Sequence, residues 1–218
     1  PPPSSASGGS TPSCTPPAWL TEKYPEVRLV DYQGRPLQHG FRRHVCPTSP
    51  VYRDHCGRIA EILGKAFGQD DNVVGWQIDN EVYLWHDWGC YCPNCIKAFH
   101  TMLEQKFGSI EALNATWGTN IWSQTYQSFS QIPAPWPDMV HHPSLLQAWI
   151  LFQGEAVVDY VLHQADVLHK YVKQPVGTDM MPVLGINYET IHRRLDVVQY
   201  NHYDTTQNLW KQDRKSVV

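Results

Sequence analysis

Several features that would place a chain in a familiar class are missing here. No apolar run approaches the ~20 residues needed to cross a bilayer. The N-terminus also lacks the basic-then-apolar order of a secretory signal, so a water-soluble domain of cytoplasmic location is expected. Neither sign of charge dominates: 17 Lys and Arg stand against 21 Asp and Glu, a formal net charge of −4. The basic residues are scattered, with no stripe or block, which excludes nucleic acid and anionic membrane as partners. A small neutral molecule is the expected ligand. Six cysteines in 218 residues are too few for a disulfide scaffold. No internal repeat is present, which excludes a solenoid.

What the chain does have is aromatic side chains, with nine Trp and eleven Tyr. They suit a large core, because aromatics carry much of any core's buried area, and equally the flat walls of a cleft that stacks on sugar rings. Residues 1–10 are Pro, Ser, Gly and Ala only, a leader that cannot bury enough apolar surface to offset its entropy and is expected to be disordered. Residues 11–218 form the expected domain.

Within it, 73–78 is a short β-branched and aromatic run flanked by polar residues, which predicts a buried strand. It leads directly into Asp79-Asn80-Glu81. Ile59, Ile62, Leu63, Ala66 and Phe67 recur at helical spacing before it and stop at Gly68. Ile96, Phe99, Leu103 and Phe107 do so after it and stop at Gly108. Ser109 predicts the cap of a short helix through Asn114, and Ser144 that of a long one towards Tyr171. Further strands are predicted at 176–181 and 196–200, with a helix over 188–194. Strands alternating with helices imply a parallel sheet, open or closed into a (β/α) barrel.

In a (β/α) barrel the active site gathers at the C-terminal ends of the strands, and Glu81 follows one immediately. Glycoside hydrolysis needs a protonated carboxyl beside the leaving oxygen, and retention needs a second carboxylate about 5–5.5 Å away. Asn80 could meet a sugar hydroxyl, or the pair could simply turn the chain. Cys90, Cys92 and Cys95 place three thiolates within one short segment, and a fourth from elsewhere would complete the tetrahedral sulfur set of a closed structural zinc site.

The segment Gly75-Trp76-Gln77-Ile78-Asp79-Asn80-Glu81, followed by Cys90-Tyr91-Cys92-Pro93-Asn94-Cys95, closely resembles glycoside hydrolase family 42. So do Thr15-Pro16-Pro17-Ala18-Trp19-Leu20, Arg42-Arg43-His44-Val45-Cys46-Pro47 and Ala112-Leu113-Asn114-Ala115-Thr116-Trp117-Gly118-Thr119. The resemblance implies a retaining β-galactosidase barrel acting on a β-galactoside. It makes Glu81 the acid/base, Asn80 and Arg42 sugar-binding residues, and Cys46 the fourth ligand of a Cys46, Cys90, Cys92, Cys95 zinc site. Arg43 is expected to face a structural partner, and Trp122 to lie near the site or in the core. The full-length relatives imply a homo-oligomer. Cys14 and Cys56 are left as small buried residues, and His44, His86, His141 and His142 as surface or satisfied core histidines. Asn201, His202 and Tyr203 follow a strand and are expected to line the sugar site.

A complete (β/α)8 barrel takes ~250 residues, so this chain is read as an incomplete TIM barrel, approximately strands three to six. The family's nucleophile follows the seventh strand and is expected beyond Val218. Glu155 falls inside a helix, Glu189 in a connection, and Asp196 at the start of a strand, so none of them replaces it. Asp179 stands where another polar residue is expected and puts that part of the subsite in question. Two alternatives stay open: a non-catalytic, zinc-stabilised sugar-binding or interaction module, and a retaining glycosidase of other specificity, such as an α-L-arabinopyranosidase.

Overall fold

The centre of the molecule is a parallel ladder. The computed structural model describes residues 15–40, 42–82, 89–180 and 185–200. Strand β1 (Trp76–Gln77) pairs in parallel with β2 (Val176–Gly177), and β3 (Asp179–Met180) pairs in parallel with β4 (Gln199–Tyr200). Strands β2 and β3 are two halves of one extended run interrupted at Thr178, whose hydroxyl donates to the Ile78 carbonyl at 2.5 Å. That run is therefore the middle of three neighbours, with β1 on one side and β4 on the other. The ladder extends past the assigned strands, through Ile78 N to Gly177 O at 2.7 Å and Asp196 N to Val176 O at 2.9 Å. The predicted strands at 73–78, 176–181 and 196–200 are thus in place, each shorter than its apolar run.

Helices connect and cover the strands in chain order: α1 (Ala18–Lys23), α2 (Pro50–Phe67), α3 (Pro93–Phe107), α4 (Ile110–Trp117), α5 (Pro143–Leu168) and α6 (Tyr188–Arg194). Parallel neighbours joined through helices are the βαβ arrangement expected of a barrel segment. Local chemistry accounts for most helix ends. Ser49 caps α2 by accepting from Tyr52 N, Ser109 caps α4 by accepting from Ala112 N, and Gly108 closes α3 at φ 73°. Helix α4 runs three residues beyond the predicted Asn114, to a left-handed Gly118. The long helix is capped not by Ser144 but by His142, whose Nδ1 accepts from Ser144 N at 3.2 Å. Pro143 at its first position supplies a preset φ and no orphan N–H, which is why the helix begins there.

Helix α5 organises two cores. Its N-terminal half, with Trp149 and Phe152, packs with Phe99, Leu103 and Leu113 of α3 and α4. Its C-terminal half, with Val157, Val161 and Leu168, packs with Trp76, Ile78, Val176 and Met180 of the strands. Full burial of side chains such as Ile78 and Val161 stabilises the fold by about 2 kcal/mol each. By length and composition alone α5 could cross a membrane, but 61% of its most apolar window is buried inside the protein, as in a core helix.

Most of the apolar residues that announce α2 are not the ones it buries, Leu63 alone of them packing partly buried against the core. Ile62 and Phe67 are 63% and 47% exposed, while Tyr52, Cys56, Gly57, Ala60 and Gly64 face inward. Small residues win that face because α5 and the segment after it lie so close. A Cβ on Gly57 would meet His163 Nε2 at 3.0 Å, and one on Gly64 would meet Tyr171 Cβ at 3.1 Å.

The closest approach is at Gly154 of α5, where an added Cβ would lie 1.6 Å from the Gly185 carbonyl oxygen. Backbone cannot swing aside as a flexible side chain does. Gly154→Ala is expected to cost at least about 2 kcal/mol, lowering the Tm of the chain by about 4–8 °C. An unchanged Tm would mean that this contact between α5 and the turn at Gly185 does not exist in solution.

Candidate active site and cysteine cluster

Past Ile78 the chain leaves the ladder through two left-handed residues, Asp79 at φ 53° and Glu81 at φ 50°. Such a conformation costs a non-glycine residue about 1–2 kcal/mol, so neighbours must hold it. Asp79 is 1% exposed. Its Oδ1 accepts from Asn80 N at 2.7 Å and lies 3.7 Å from Arg43 Nη2. Arg43, itself left-handed and buried, thus faces Asp79 rather than the cleft, the structural partner expected of it. Glu81 N donates to both Asp179 O at 3.1 Å and Asp179 Oδ1 at 2.9 Å.

The three residues expected to handle sugar come together. Arg42 Nη2 is 3.3 Å from Glu81 Oε2, with side chains 38% and 11% exposed respectively. Asn80 sits between them and the next strand. With the Asn80 amide assigned so that both its ends are satisfied, its oxygen accepts from Arg42 Nη2 and its nitrogen donates to Asp179 Oδ2 at 3.2 Å. The cluster is half-open, with a cation, an amide and a carboxylate at the C-terminal end of β1. That is chemistry suited to a neutral polyol: donors and acceptors in alternation, and one carboxyl able to carry a proton.

Two further residues join this cluster, of which Gln77 was not singled out from the sequence. Gln77 Nε2 donates to Asp179 Oδ1 and to the Asp79 carbonyl, both at 3.0 Å. Asp179, read from sequence as an unexpected residue in part of the subsite, contacts Gln77, Asn80 and Glu81 together. Its position on a strand next to β1 was the available signal.

The other sequence candidates lie elsewhere. Glu155 is exposed on α5, and Glu189 lies in the first turn of α6 and pairs with Arg193 at 2.7 Å. Asp196 accepts from Val176 N at 2.8 Å and pairs with His169 at 2.9 Å, at the N-terminal side of the ladder. The Val176 N–H bond, aided by His169, holds its carboxyl below the usual range. Trp122 is 82% exposed with φ 51°, so it is not a core residue. His44 is buried edge-on against His39, His141 accepts from Trp136 N at 2.8 Å, and His142 is the helix cap. The leader, Cys14, His86 and 201–203 lie outside the described residues.

Cys46, Cys90, Cys92 and Cys95 are all buried, and their sulfurs lie within 4.8 Å of one another. Cys46 Sγ is 3.4 Å from Cys95 Sγ and 3.6 Å from Cys92 Sγ. A tetrahedral site with zinc–sulfur bonds of about 2.3 Å places its sulfurs about 3.8 Å apart, so the cluster is already near that size. Backbone N–H groups support it: Val30 N to Cys90 Sγ and Cys95 N to Cys92 Sγ, both 3.5 Å. The Thr48 hydroxyl is 3.0 Å from both Cys46 and Cys95. Hydrogen bonds from Cys46 first, then Cys90 and Cys95, drive the Cys92 thiol far down. Cys90 and Cys95 are pushed up, each chiefly by Cys46. Four buried sulfurs this close together could hold a metal ion. Cys56 is separate and buried, and burial raises its thiol to about 11.

Comparison with known proteins accords with this geometry. The glycoside hydrolase family 42 model, described as β-galactosidase, matches residues 10–217. The chain is 34% identical over 199 residues to β-galactosidase YesZ of Bacillus licheniformis, covering 91% of this chain and 30% of that protein. It is 42% identical over 163 residues to a β-galactosidase of Thermus thermophilus, covering 74% and 25%. The solved structure of the polyextremophilic β-galactosidase from the Antarctic haloarchaeon Halorubrum lacusprofundi superposes with a TM-score of 0.84 at 36% identity, over 89% of this chain and 30% of that one. The chain thus spans about 30% of the length of such relatives, and its three parallel strands and their helices are part of a TIM barrel. With nearly its whole length matched, the chain belongs to glycoside hydrolase family 42, the β-galactosidase family.

Proposed function

We propose that this chain supplies the acid/base half of a retaining β-galactosidase, with Glu81 as the proton donor and acceptor. The observation that carries the reading is the convergence of Glu81, Asn80 and Arg42 at the end of β1, with Arg42 Nη2 3.3 Å from Glu81 Oε2. In the first step Glu81 protonates the departing glycosidic oxygen while a carboxylate elsewhere in the complete barrel attacks the anomeric carbon. In the second, Glu81 takes a proton from the water that displaces that carboxylate. Arg42 offers a fork of N–H donors to sugar hydroxyls. Asn80 meets the 2-hydroxyl, a contact that strengthens in the transition state.

The four cysteines hold zinc in this reading. A closed sulfur set leaves no position for water, so the ion would fix the segment that follows the catalytic strand and take no part in hydrolysis. Five buried free thiols among the described residues suit a reducing, cytoplasmic setting.

Because the chain spans about 30% of its relatives, turnover is measured in a complete barrel, made by exchanging this segment for its counterpart in the Halorubrum lacusprofundi enzyme. The folded chimera is expected to hydrolyse a chromogenic β-galactoside and to release β-galactose first, as followed by proton NMR of the anomers. A folded chimera that gives no turnover, or that gives the α-anomer first, would overturn the reading.

A further inference from the structure

We propose that Asp179 is a positioning residue for the acid/base, a role that rests on the assignment of Glu81 above. Glu81 stands in a left-handed conformation, three residues past the last ladder bond of its own strand at Ile78. The group that fixes it comes from the neighbouring strand. Asp179 offers both its carbonyl, at 3.1 Å, and its carboxylate Oδ1, at 2.9 Å, to the single Glu81 N–H.

The same carboxylate does two further things. Its Oδ1 takes the Gln77 amide at 3.0 Å, which ties the C-terminal end of β1 to the same carboxylate that holds the turn. Its Oδ2 takes the Asn80 nitrogen at 3.2 Å and so turns the Asn80 oxygen towards Arg42. One buried side chain, 6% exposed, thereby sets the Glu81 backbone, the Asn80 amide and, through that amide, the Arg42 guanidinium. Asp179 does not face the departing oxygen. It acts through the groups that do.

Substitutions at Asp179 separate these roles. Asp179→Ala removes every side-chain contact, so the Glu81 turn is held by one carbonyl and the Asn80 amide is free to reverse. Asp179→Asn can still accept from Glu81 N–H and Gln77 through its oxygen. Its NH2 then faces the Asn80 NH2, so the Glu81 bond survives while the Asn80 orientation is lost. A displaced acid matters most when the leaving group needs its proton, because a misplacement on the order of 1 Å can slow a reaction about 100-fold.

The experiment is a leaving-group series of aryl and alkyl β-galactosides, run on the complete barrel as wild type, Asp179→Ala, Asp179→Asn and Glu81→Gln. Asp179→Ala is expected to lose about 10- to 100-fold in kcat/KM on poor leaving groups and far less on acidic phenols. Asp179→Asn should recover much of the leaving-group dependence of wild type while retaining a raised KM. A merely destabilising substitution would lower the active fraction and scale every substrate alike, and that flat profile would overturn the proposal. If Glu81→Gln itself gives the flat profile, the acid/base assignment fails. If Glu81→Gln gives the steep one and Asp179→Ala does not, only the positioning role fails.

Discussion

Glu81→Gln in the complete barrel is expected to slow hydrolysis of an unactivated β-galactoside by a factor on the order of 100 or more. The substitution is close to isosteric. The Gln carbonyl oxygen can still accept from Arg42, now 3.3 Å from Glu81 Oε2, so the fold and the sugar contacts should persist while the transferable proton is gone. The loss falls on both chemical steps, since the same group first donates a proton and then removes one from water. Azide offers a way to separate them. It attacks the anomeric carbon of the galactosyl-enzyme and expels the carboxylate without needing a base, so with an activated aryl galactoside it should restore turnover and yield β-galactosyl azide. Wild-type rates on the unactivated substrate in the Glu81→Gln protein would remove Glu81 from the mechanism.

How far such a site can be read without coordinates depends on how local its determinants are. Helix α3 was legible from its apolar spacing and its terminal Gly108, and α6 from its span of 188–194, because a helix satisfies itself within a few residues. The start of α5 was misplaced by two residues, since a capping Ser144 is a commoner signal than a capping His142. Pro143 was the better marker. Glu81 was picked out because it follows within a few residues of an apolar strand run. The contacts of Asp179 were not legible, because they arise only when a strand about 100 positions away in the chain is laid beside β1. The inward face of α2 was hidden for a related reason. Gly57, Ala60 and Gly64 carry no apolar signal of their own, and only the proximity of α5 shows that small residues are what that face requires.

A metal held by the four cysteines, zinc in the function proposed above, would bear on stability rather than on chemistry. Elemental analysis of the purified chain is expected to find about one zinc per chain, and a thiol reagent should react with none of Cys46, Cys90, Cys92 and Cys95 until a chelator is added. Cys56 should stay slow in both states, because burial raises its thiol to about 11 and leaves almost no thiolate at neutral pH. Binding requires the four cysteines to surrender their protons, so acidification should release the metal and chelation should leave crowded thiols that share protons instead. A ligand bound 1,000-fold above its Kd contributes about 4 kcal/mol, which for a domain of this size corresponds to about 8–16 °C of Tm. Chelation, or Cys95→Ser, should therefore lower the Tm by about 10 °C, with Cys95→Ser gaining nothing from added zinc. The consequence reaches the site through the chain itself. Cys90 N and O are both bonded to the Gln153 side chain of α5, at 3.1 and 2.9 Å, so loosening the cluster loosens the anchor of Cys90 on that helix. Protein without zinc, whose four thiols titrate freely before any chelator is present, would dispose of the metal site and leave the cysteines as packing alone.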